Sequence, residues 1–152
     1  MTPITIRPIT ADEFEQADNL VELLAEYAVE SSIPGLGEIN VQMQTYRQLE
    51  AAGILHTLAA YRGGALVGFI TFLVSVLPHY GAFTATSESF FVAQSERAGG
   101  TGLRLLRAAE ALATELGAVG LLVSAPAGGR LAQVLPRTGF TQTNEVFFKG
   151  LQ

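Results

Sequence analysis

The spacing of apolar residues along the chain changes between a period of two and a helical period, which predicts a mixed α/β arrangement. Residues Ile4–Ile6 alternate as a short first strand. A Thr10–Glu13 capping box then opens one long helix, with an apolar face over Phe14–Ala28. A shorter and more polar helix is expected from about Asn40 to Ala52.

Two long apolar runs in the middle of the chain predict a β-hairpin. The runs Ile54–Tyr61 and Ala65–Val76 are separated by Gly63–Gly64, a pair that favours a tight turn. A third strand is expected over Thr84–Ala93. These three strands would form the centre of a sheet.

The last third of the chain predicts further elements around that sheet. Apolar residues recur at helical spacing over Leu105–Leu116, and they are followed by a buried strand at Val119–Ser124, a short helix at Arg130–Leu135, and strands at Phe140–Thr143 and Val146–Gly150. The predicted order is β-α-α-β-β-β-α-β-α-β-β. We therefore expect a mixed α/β fold of the α+β type, with about four helices flanking a central sheet, in a single domain over residues 1–152.

Composition excludes several kinds of site. The chain has 152 residues, of which 49% are hydrophobic and 15% are charged, so it can bury a core and is not expected to be disordered. It contains no cysteine, which excludes disulfides, thiolate zinc sites and a cysteine nucleophile. With only two histidines, no metal site is expected.

The charges are unevenly distributed. Residues 1–50 contain nine acidic and two basic side chains, whereas residues 51–152 contain five acidic and seven basic ones. The acidic part is interpreted either as a solvated helix face or as an entrance that favours cationic acceptors. The net charge of −5 at pH 7 disfavours nucleic acid as a partner.

An uncharged segment over residues 63–87 raises the question of a membrane span. Its continuous apolar part, Ala65–Leu77, is about 13 residues long, whereas a spanning helix needs about 20. A buried strand is therefore expected, with no membrane contact. The N-terminus lacks the basic region and apolar core of a signal peptide, so a cytoplasmic location is predicted.

A glycine-rich turn between the third central strand and the next helix carries the clearest chemical signal. It consists of Arg97, Ala98, Gly99, Gly100, Thr101 and Gly102. Small residues at such a turn leave backbone N–H groups uncovered, and the helix dipole adds to their attraction for a phosphate or pyrophosphate. Neither the Gly-Lys-Ser/Thr of a nucleoside-triphosphate loop nor the third glycine of a dinucleotide-binding turn is present. Taken alone, the turn is also compatible with a tight connection that binds nothing.

The form Arg-x-x-Gly-x-Gly over residues 97–102 resembles the acetyl-CoA pyrophosphate loop of the GNAT N-acetyltransferase superfamily. The flanking Val92 and Leu105–Leu106 match the family as well, Arg137–Phe140 resembles its Gly-Phe turn, and Glu145–Leu151 resembles its last strand. The resemblance implies a GNAT-like fold with a central mixed β-sheet. It also implies acetyl-CoA as cosubstrate, held by the loop residues, with the backbone of Phe91 and Val92 pairing with its pantetheine arm.

Glu88 is the candidate catalytic residue. It is the only acid between Glu50 and Glu96 and lies among aromatic residues on the strand that leads to the loop. The resemblance implies a general base at this place, and the alternative is a solvent-facing carboxylate on a half-exposed strand. The usual general acid of the family, a tyrosine, is replaced here by Leu135, and a common asparagine by Gly128. Substitutes for the acid are Ser124, Tyr80 or water.

The leading hypothesis is an acetyl-CoA-dependent N-acetyltransferase that moves an acetyl group by direct attack to a primary amine of a small molecule or peptide. One alternative is a catalytically reduced GNAT-fold domain that binds CoA or a protein partner. Another is a regulator that binds a nucleotide at the same loop. A homodimer is left open.

Overall fold

The computed structural model describes residues 2–152, which contain a five-stranded sheet in the order β1-β2-β3-β4-β5. The strands are β1 Ile4–Ile9, β2 Leu55–Arg62, β3 Ala65–Leu77, β4 Ala82–Val92 and β5 Leu121–Leu122. The helices are α1 Ala11–Glu15, α2 Leu20–Ser31, α3 Met43–Ala51, α4 Thr101–Glu115 and α5 Arg130–Val134, with 3-10 turns at Gln94–Gly99 and Leu135–Thr138. The first four strands are antiparallel and β5 runs parallel to β4. The expected mixed fold of the α+β type is therefore confirmed.

The single long helix expected after Thr10 is wrong, because the chain forms two helices there. The capping box itself is present: the Thr10 hydroxyl accepts from the Glu13 N–H at 3.1 Å and the Glu13 carboxylate accepts from the Thr10 N–H at 3.2 Å. The helix nevertheless ends at Glu15. The amide of Asn19 donates to the Leu66 carbonyl at 2.7 Å and accepts from the Leu66 N–H at 3.1 Å. This pair of hydrogen bonds ties Asn19 to β3 and separates α1 from α2.

The two strands expected at Phe140–Thr143 and Val146–Gly150 are not formed as part of the sheet. A strand needs a partner with unpaired backbone groups, and the neighbouring β5 is only two residues long. The apolar side chains of Val146 and Leu151 are 85% and 90% exposed. The alternating apolar residues of these two segments are compatible with strands, but no neighbouring strand supplies them with hydrogen-bond partners.

Two clusters of buried side chains cover opposite faces of the sheet, because neighbouring strand residues point to opposite sides. On one face, Leu105 of α4 packs with Ile70 and Phe72 of β3. On the other face, Phe14 of α1 packs with Phe69, with the two rings edge to face at 5.1 Å. None of the helices in the described residues is long and apolar enough to cross a membrane.

Gly68 on β3 allows α4 to lie close to the sheet. A Cβ at this position would stand 3.0 Å from the carbonyl oxygen of Phe91 and 3.2 Å from Cδ1 of Leu105. A larger residue would push the helix away from β4. The glycine therefore permits the close packing of α4 on the sheet, next to the glycine-rich turn where this helix begins.

Candidate active site

A β-bulge in β4 determines how Glu88 is presented. Thr71 of β3 lies opposite Ser89, and the next residue, Phe72, lies opposite Ser87. Glu88 is the extra residue between these two pairs, and such bulges redirect a side chain out of the regular alternation. Its side chain is exposed and lines a cavity beside the sheet.

The cavity has a volume of about 460 Å³ and lies between the sheet, α2, α3 and the loop that joins these helices. Its wall includes Phe14, Leu24, Tyr27, Tyr46, Phe69 and Glu88. The Tyr27 ring also packs against Phe69 and Phe91, with ring centroids 5.8 and 5.6 Å apart. Apolar packing thus supports the wall on which Glu88 is placed.

Tyr46 of α3 is the partner of Glu88. Its hydroxyl donates to Oε1 of Glu88 at 2.6 Å. Burial raises the pKa of the Tyr46 hydroxyl, and the bond to the carboxylate raises that pKa further, so the tyrosine remains a proton donor. Among the described residues no other bond to the Glu88 side chain is present, which leaves its second oxygen accessible from the cavity.

Sequence reasoning missed Tyr46. The two residues are 42 positions apart, and the pattern of α3 indicates only a polar helix. The available signal was a lone tyrosine on that helix, which is more common as a packing residue. The contact depends on the angle and position at which α3 packs on the sheet, and the periodicity of apolar residues in the sequence does not determine these.

The glycine-rich turn ends in an uncapped helix. Gly100, with φ 78°, is the N-cap of α4 and provides no side-chain bond. The first helical bond runs from the Arg104 N–H to the Gly100 carbonyl at 3.1 Å, so the N–H groups of Thr101, Gly102 and Leu103 have no acceptor within the helix. A Cβ at Gly99 or Gly100 would meet nothing within 4 Å. The open approach and the unpaired donors fit a phosphate group.

Arg97 is bonded within the protein. Its guanidinium pairs with Glu30 of α2 at 2.8 Å and donates to the Val92 carbonyl at 2.9 Å. It also lies over the Phe91 ring, 5.3 Å from the centroid. The side chain therefore braces the turn against α2 and β4, and Ala98 lies beside it on the exposed part of the turn.

The β4 strand is unpaired on one side near this turn. Pairing with β5 is limited to Ala85 with Leu121 and Thr86 with Leu122. The Ala93 N–H bonds to the Val67 carbonyl of β3, and because bond directions alternate along a strand, the peptide groups of Val92 point the other way.

Phe91 and Val92, the two residues predicted to contact the pantetheine arm, therefore direct their peptide groups to opposite sides of β4. Val92 presents its backbone to the gap between β4 and β5. By the same alternation the peptide groups of Phe91 face β3, and its side chain is 4% exposed in the core. Of the pair, Val92 has its N–H open to a partner strand, while its carbonyl already accepts from Arg97 at 2.9 Å.

The substitutes considered for the general acid do not line the cavity. Tyr80 is 76% exposed in the β3–β4 turn, where its ring stands edge to face with His79. Ser124 uses its N–H to bond the Ser87 hydroxyl at 2.9 Å, and Leu135 is buried. Within residues 2–152 there is also no cluster of three or more side chains that could hold a metal ion.

Comparison with known families gives one match, over residues 17–140, to the model described as the acetyltransferase (GNAT) family. No curated protein matches the chain significantly. The matched range includes Glu88, Tyr46 and the whole glycine-rich turn.

Solved structures with the same fold cover nearly the whole chain. A ribosomal-protein-alanine N-acetyltransferase from Brucella melitensis biovar Abortus 2308 is 19% identical with a TM-score of 0.71, and the match covers 96% of each chain. An aminoglycoside acetyltransferase from an uncultured soil metagenomic sample, in complex with sisomicin, is 18% identical with a TM-score of 0.74, covering 98% of this chain and 97% of the other. AAC(6')-Iy, in complex with the bisubstrate analog CoA-S-monomethyl-acetylneamine, is 19% identical with a TM-score of 0.71, and the match covers 97% of each chain.

Proposed function

The chain belongs to the acetyltransferase (GNAT) family, which makes it an N-acetyltransferase of unspecified acceptor, and on that premise we propose that it moves the acetyl group of acetyl-CoA by direct attack to a primary amine. The acceptor is a small-molecule or peptide amine. The observation that carries the proposal is the carboxylate of Glu88, held by Tyr46 at the wall of a cavity beside the unpaired edge of β4. Residues 1–152 act as one acyltransferase domain.

The turn from Arg97 to Gly102 holds the pyrophosphate of acetyl-CoA in this proposal. Its support is the set of unpaired N–H groups at the start of α4 and the open space over Gly99 and Gly100. The N–H of Val92 pairs with the pantetheine arm as an added strand would, while the Val92 carbonyl accepts from Arg97 and Phe91 packs beneath that arginine. When bound, acetyl-CoA supplies the activated thioester.

Glu88 acts as the general base. An amine enters the cavity as an ammonium ion, and the accessible oxygen of Glu88 removes its proton, directly or through water. Tyr46 holds the other oxygen and fixes the carboxylate in place. Because Leu135 provides no hydroxyl, the proton that the amine nitrogen loses after its attack passes through water to the departing CoA thiolate. Placing the amine next to the thioester supplies much of the rate.

Calorimetry and an acetylation assay test the proposal together. We expect CoA and acetyl-CoA to bind, and mass spectrometry to detect acetylation of members of a panel of amines, amino acids and peptides. Binding of CoA without transfer to any acceptor would instead favour the non-catalytic alternative. Binding of ATP or NAD in the absence of CoA binding would favour the nucleotide-binding regulator. A cytoplasmic location and a homodimer remain predictions.

A further inference from the structure

Within the part of the chain that the structure describes, the cavity beside Glu88 has no basic side chain in its lining. Its charged side chains are Glu38 and Glu88, and its other polar groups are hydroxyls and amides such as those of Ser31, Asn40 and Gln42. Both charges are therefore negative. Such a cavity attracts an ammonium group and offers no ion pair to an anion.

Basic side chains on the flanking elements are already paired with carboxylates. Arg47 of α3 bonds Asp12 at 2.8 Å and also bonds Glu15, both on α1. Arg97 bonds Glu30 of α2. Neither arginine can turn toward the cavity without breaking an existing ion pair.

Lys149 is a basic residue whose neighbour in the chain contacts the loop that borders the cavity. The neighbouring Phe148 lies over the loop between α2 and α3, where a Cβ on Gly35 would stand 2.8 Å from the ring. Lys149 itself is exposed and is not part of the lining. Solvent therefore weakens any attraction it exerts on a group inside.

Apolar side chains form most of the remaining wall. They come from α1, α2, α3, the loop and the sheet, and include Phe14, Leu24, Leu36, Met43, Leu49 and Phe69. The volume of about 460 Å³ is in the usual range for a small-molecule site. A ligand with its amine at Glu88 must place the rest of its body against this apolar surface.

We infer that the acceptor is a primary amine carried on an apolar chain or ring, without a carboxylate or phosphate group. The inference rests on the proposed transfer at Glu88. A carboxylate on the acceptor would lose its hydration without gaining a cation, and would face Glu38 and Glu88. A polyhydroxylated body would lose hydrogen bonds to water against the apolar wall.

Two matched pairs of acceptors test the two parts of this inference. Phenethylamine and phenylalanine differ by the carboxylate, and phenylalanine amide removes its charge while keeping its position. Hexylamine and 2-(2-aminoethoxy)ethanol have chains of equal length but different polarity. We expect kcat/KM for phenethylamine and for hexylamine to exceed that of the polar or anionic partner by at least about tenfold, with the amide close to phenethylamine.

A substitution in the lining provides the matching change in the protein. Gln42 lines the cavity and makes no side-chain cap for α3, whereas Gln44 is exposed and lies outside the lining. Gln42→Arg should raise kcat/KM for phenylalanine relative to phenethylamine by about tenfold, because it adds the missing cation. Gln44→Arg adds the same charge and should leave that ratio unchanged.

The outcomes separate this inference from the proposed function. Equal turnover of phenylalanine and phenethylamine by the unaltered protein overturns the acceptor class and leaves the transfer intact. If no amine is acetylated although CoA binds, the proposed transfer is wrong, and calorimetry with the same amines decides the inference. Tighter binding of phenethylamine than of phenylalanine then supports the same ligand class for the cavity as a binding site without transfer, whereas equal or absent binding overturns it.

Discussion

At the scale of single residues, the orientation of the Glu88 side chain depends on the β-bulge in β4, in which Glu88 is the extra residue. The sequence could identify it because it is an isolated acid on a strand that leads to a glycine-rich turn. The sequence could not show that the residue is the bulge between Ser87 and Ser89, since the register with β3 is a property of the sheet. Nor could it show the bond from Tyr46, which joins distant elements.

Glu88→Gln removes the proposed base while keeping the size of the side chain. We expect kcat to fall by about 100-fold or more, with the largest loss at low pH, where the amine is mostly protonated. CoA affinity, measured by calorimetry, should stay the same. Glu110→Gln, on the exposed side of α4, is the matched control and should retain full activity. Rates equal to those of the unaltered protein from about pH 6 to about pH 9 would remove Glu88 from the mechanism.

Tyr46→Phe tests the positioning of Glu88. The variant loses the hydrogen bond to the carboxylate, and we expect kcat to fall by about tenfold with little change in CoA affinity. A double-mutant cycle distinguishes positioning from a general loss of stability. If Tyr46 acts through Glu88, adding Tyr46→Phe to Glu88→Gln should lower kcat no further. Independent, multiplying losses would contradict this role.

At the scale of elements, patterning predicted the central strands well because they are continuous apolar runs buried on both faces, and it predicted α4 well because that helix buries one face. It failed where a single tertiary contact decides the outcome. Asn19 bonds both backbone groups of Leu66, so the apolar periodicity of residues 14–28 is divided between two helices. The alternation over Val146–Gly150 predicts a strand, yet a strand forms only when a neighbouring strand supplies hydrogen-bond partners.

Gly102→Glu tests the phosphate site at the start of α4. The position tolerates a Cβ, since the nearest atom would be 3.8 Å away on Val92, so the protein should fold. The added carboxylate repels phosphate, and we expect the affinity for CoA to weaken by at least about tenfold. Ala111→Glu, at an exposed position of the same helix, adds the same charge away from the turn. Unchanged CoA affinity in folded Gly102→Glu would falsify the loop assignment.

The ion pair between Arg62 of β2 and Glu96 predicts how stability depends on pH. The arginine lowers the pKa of Glu96 below its ordinary value of 4.5. A carboxylate with a lowered pKa contributes stability above that ordinary value and loses it as the pH falls through the lower one. Urea midpoints measured from neutral pH to below 4.5 should therefore decline. Glu96→Gln should show a shallower decline, and an identical slope would exclude this contribution.

At the scale of the whole molecule, the acidic N-terminal part has an internal role that its sequence does not reveal. Of the nine acids in residues 1–50, six bond elsewhere in the protein: Asp12, Glu13, Glu15, Glu26, Glu30 and Glu50. The remaining three are Asp18, Glu22 and Glu38, of which Glu38 lines the cavity. Only these three carboxylates therefore remain to decide whether the acidic part is a solvated helix face or an entrance that favours cationic acceptors.

The salt dependence of KM tests whether the electrostatic field of these remaining carboxylates attracts cationic acceptors. The Debye length falls from about 10 Å at 0.1 M to about 3 Å at 1 M salt. If Glu38 and its neighbours attract the ammonium group, KM for a cationic amine should rise by about threefold over this range. Glu38→Gln should flatten the dependence, with Glu22→Gln as control. A KM that stays constant, or a preference for anionic acceptors, would leave only the solvated-face interpretation.

Helix α2 contributes Leu24 and Tyr27 to the wall of the cavity beside Glu88, and its Glu30 pairs with Arg97 of the turn that is proposed to bind phosphate. Its Glu26 accepts from the N–H of Gln94, just before that turn. One rigid element thus touches both sites. By thermodynamic linkage, any factor by which acetyl-CoA changes the affinity for an amine must equal the factor by which that amine changes the affinity for acetyl-CoA. If α2 couples the two sites, substitution of Glu30 should change this shared factor for both ligands equally, although the residue touches neither in the proposed arrangement.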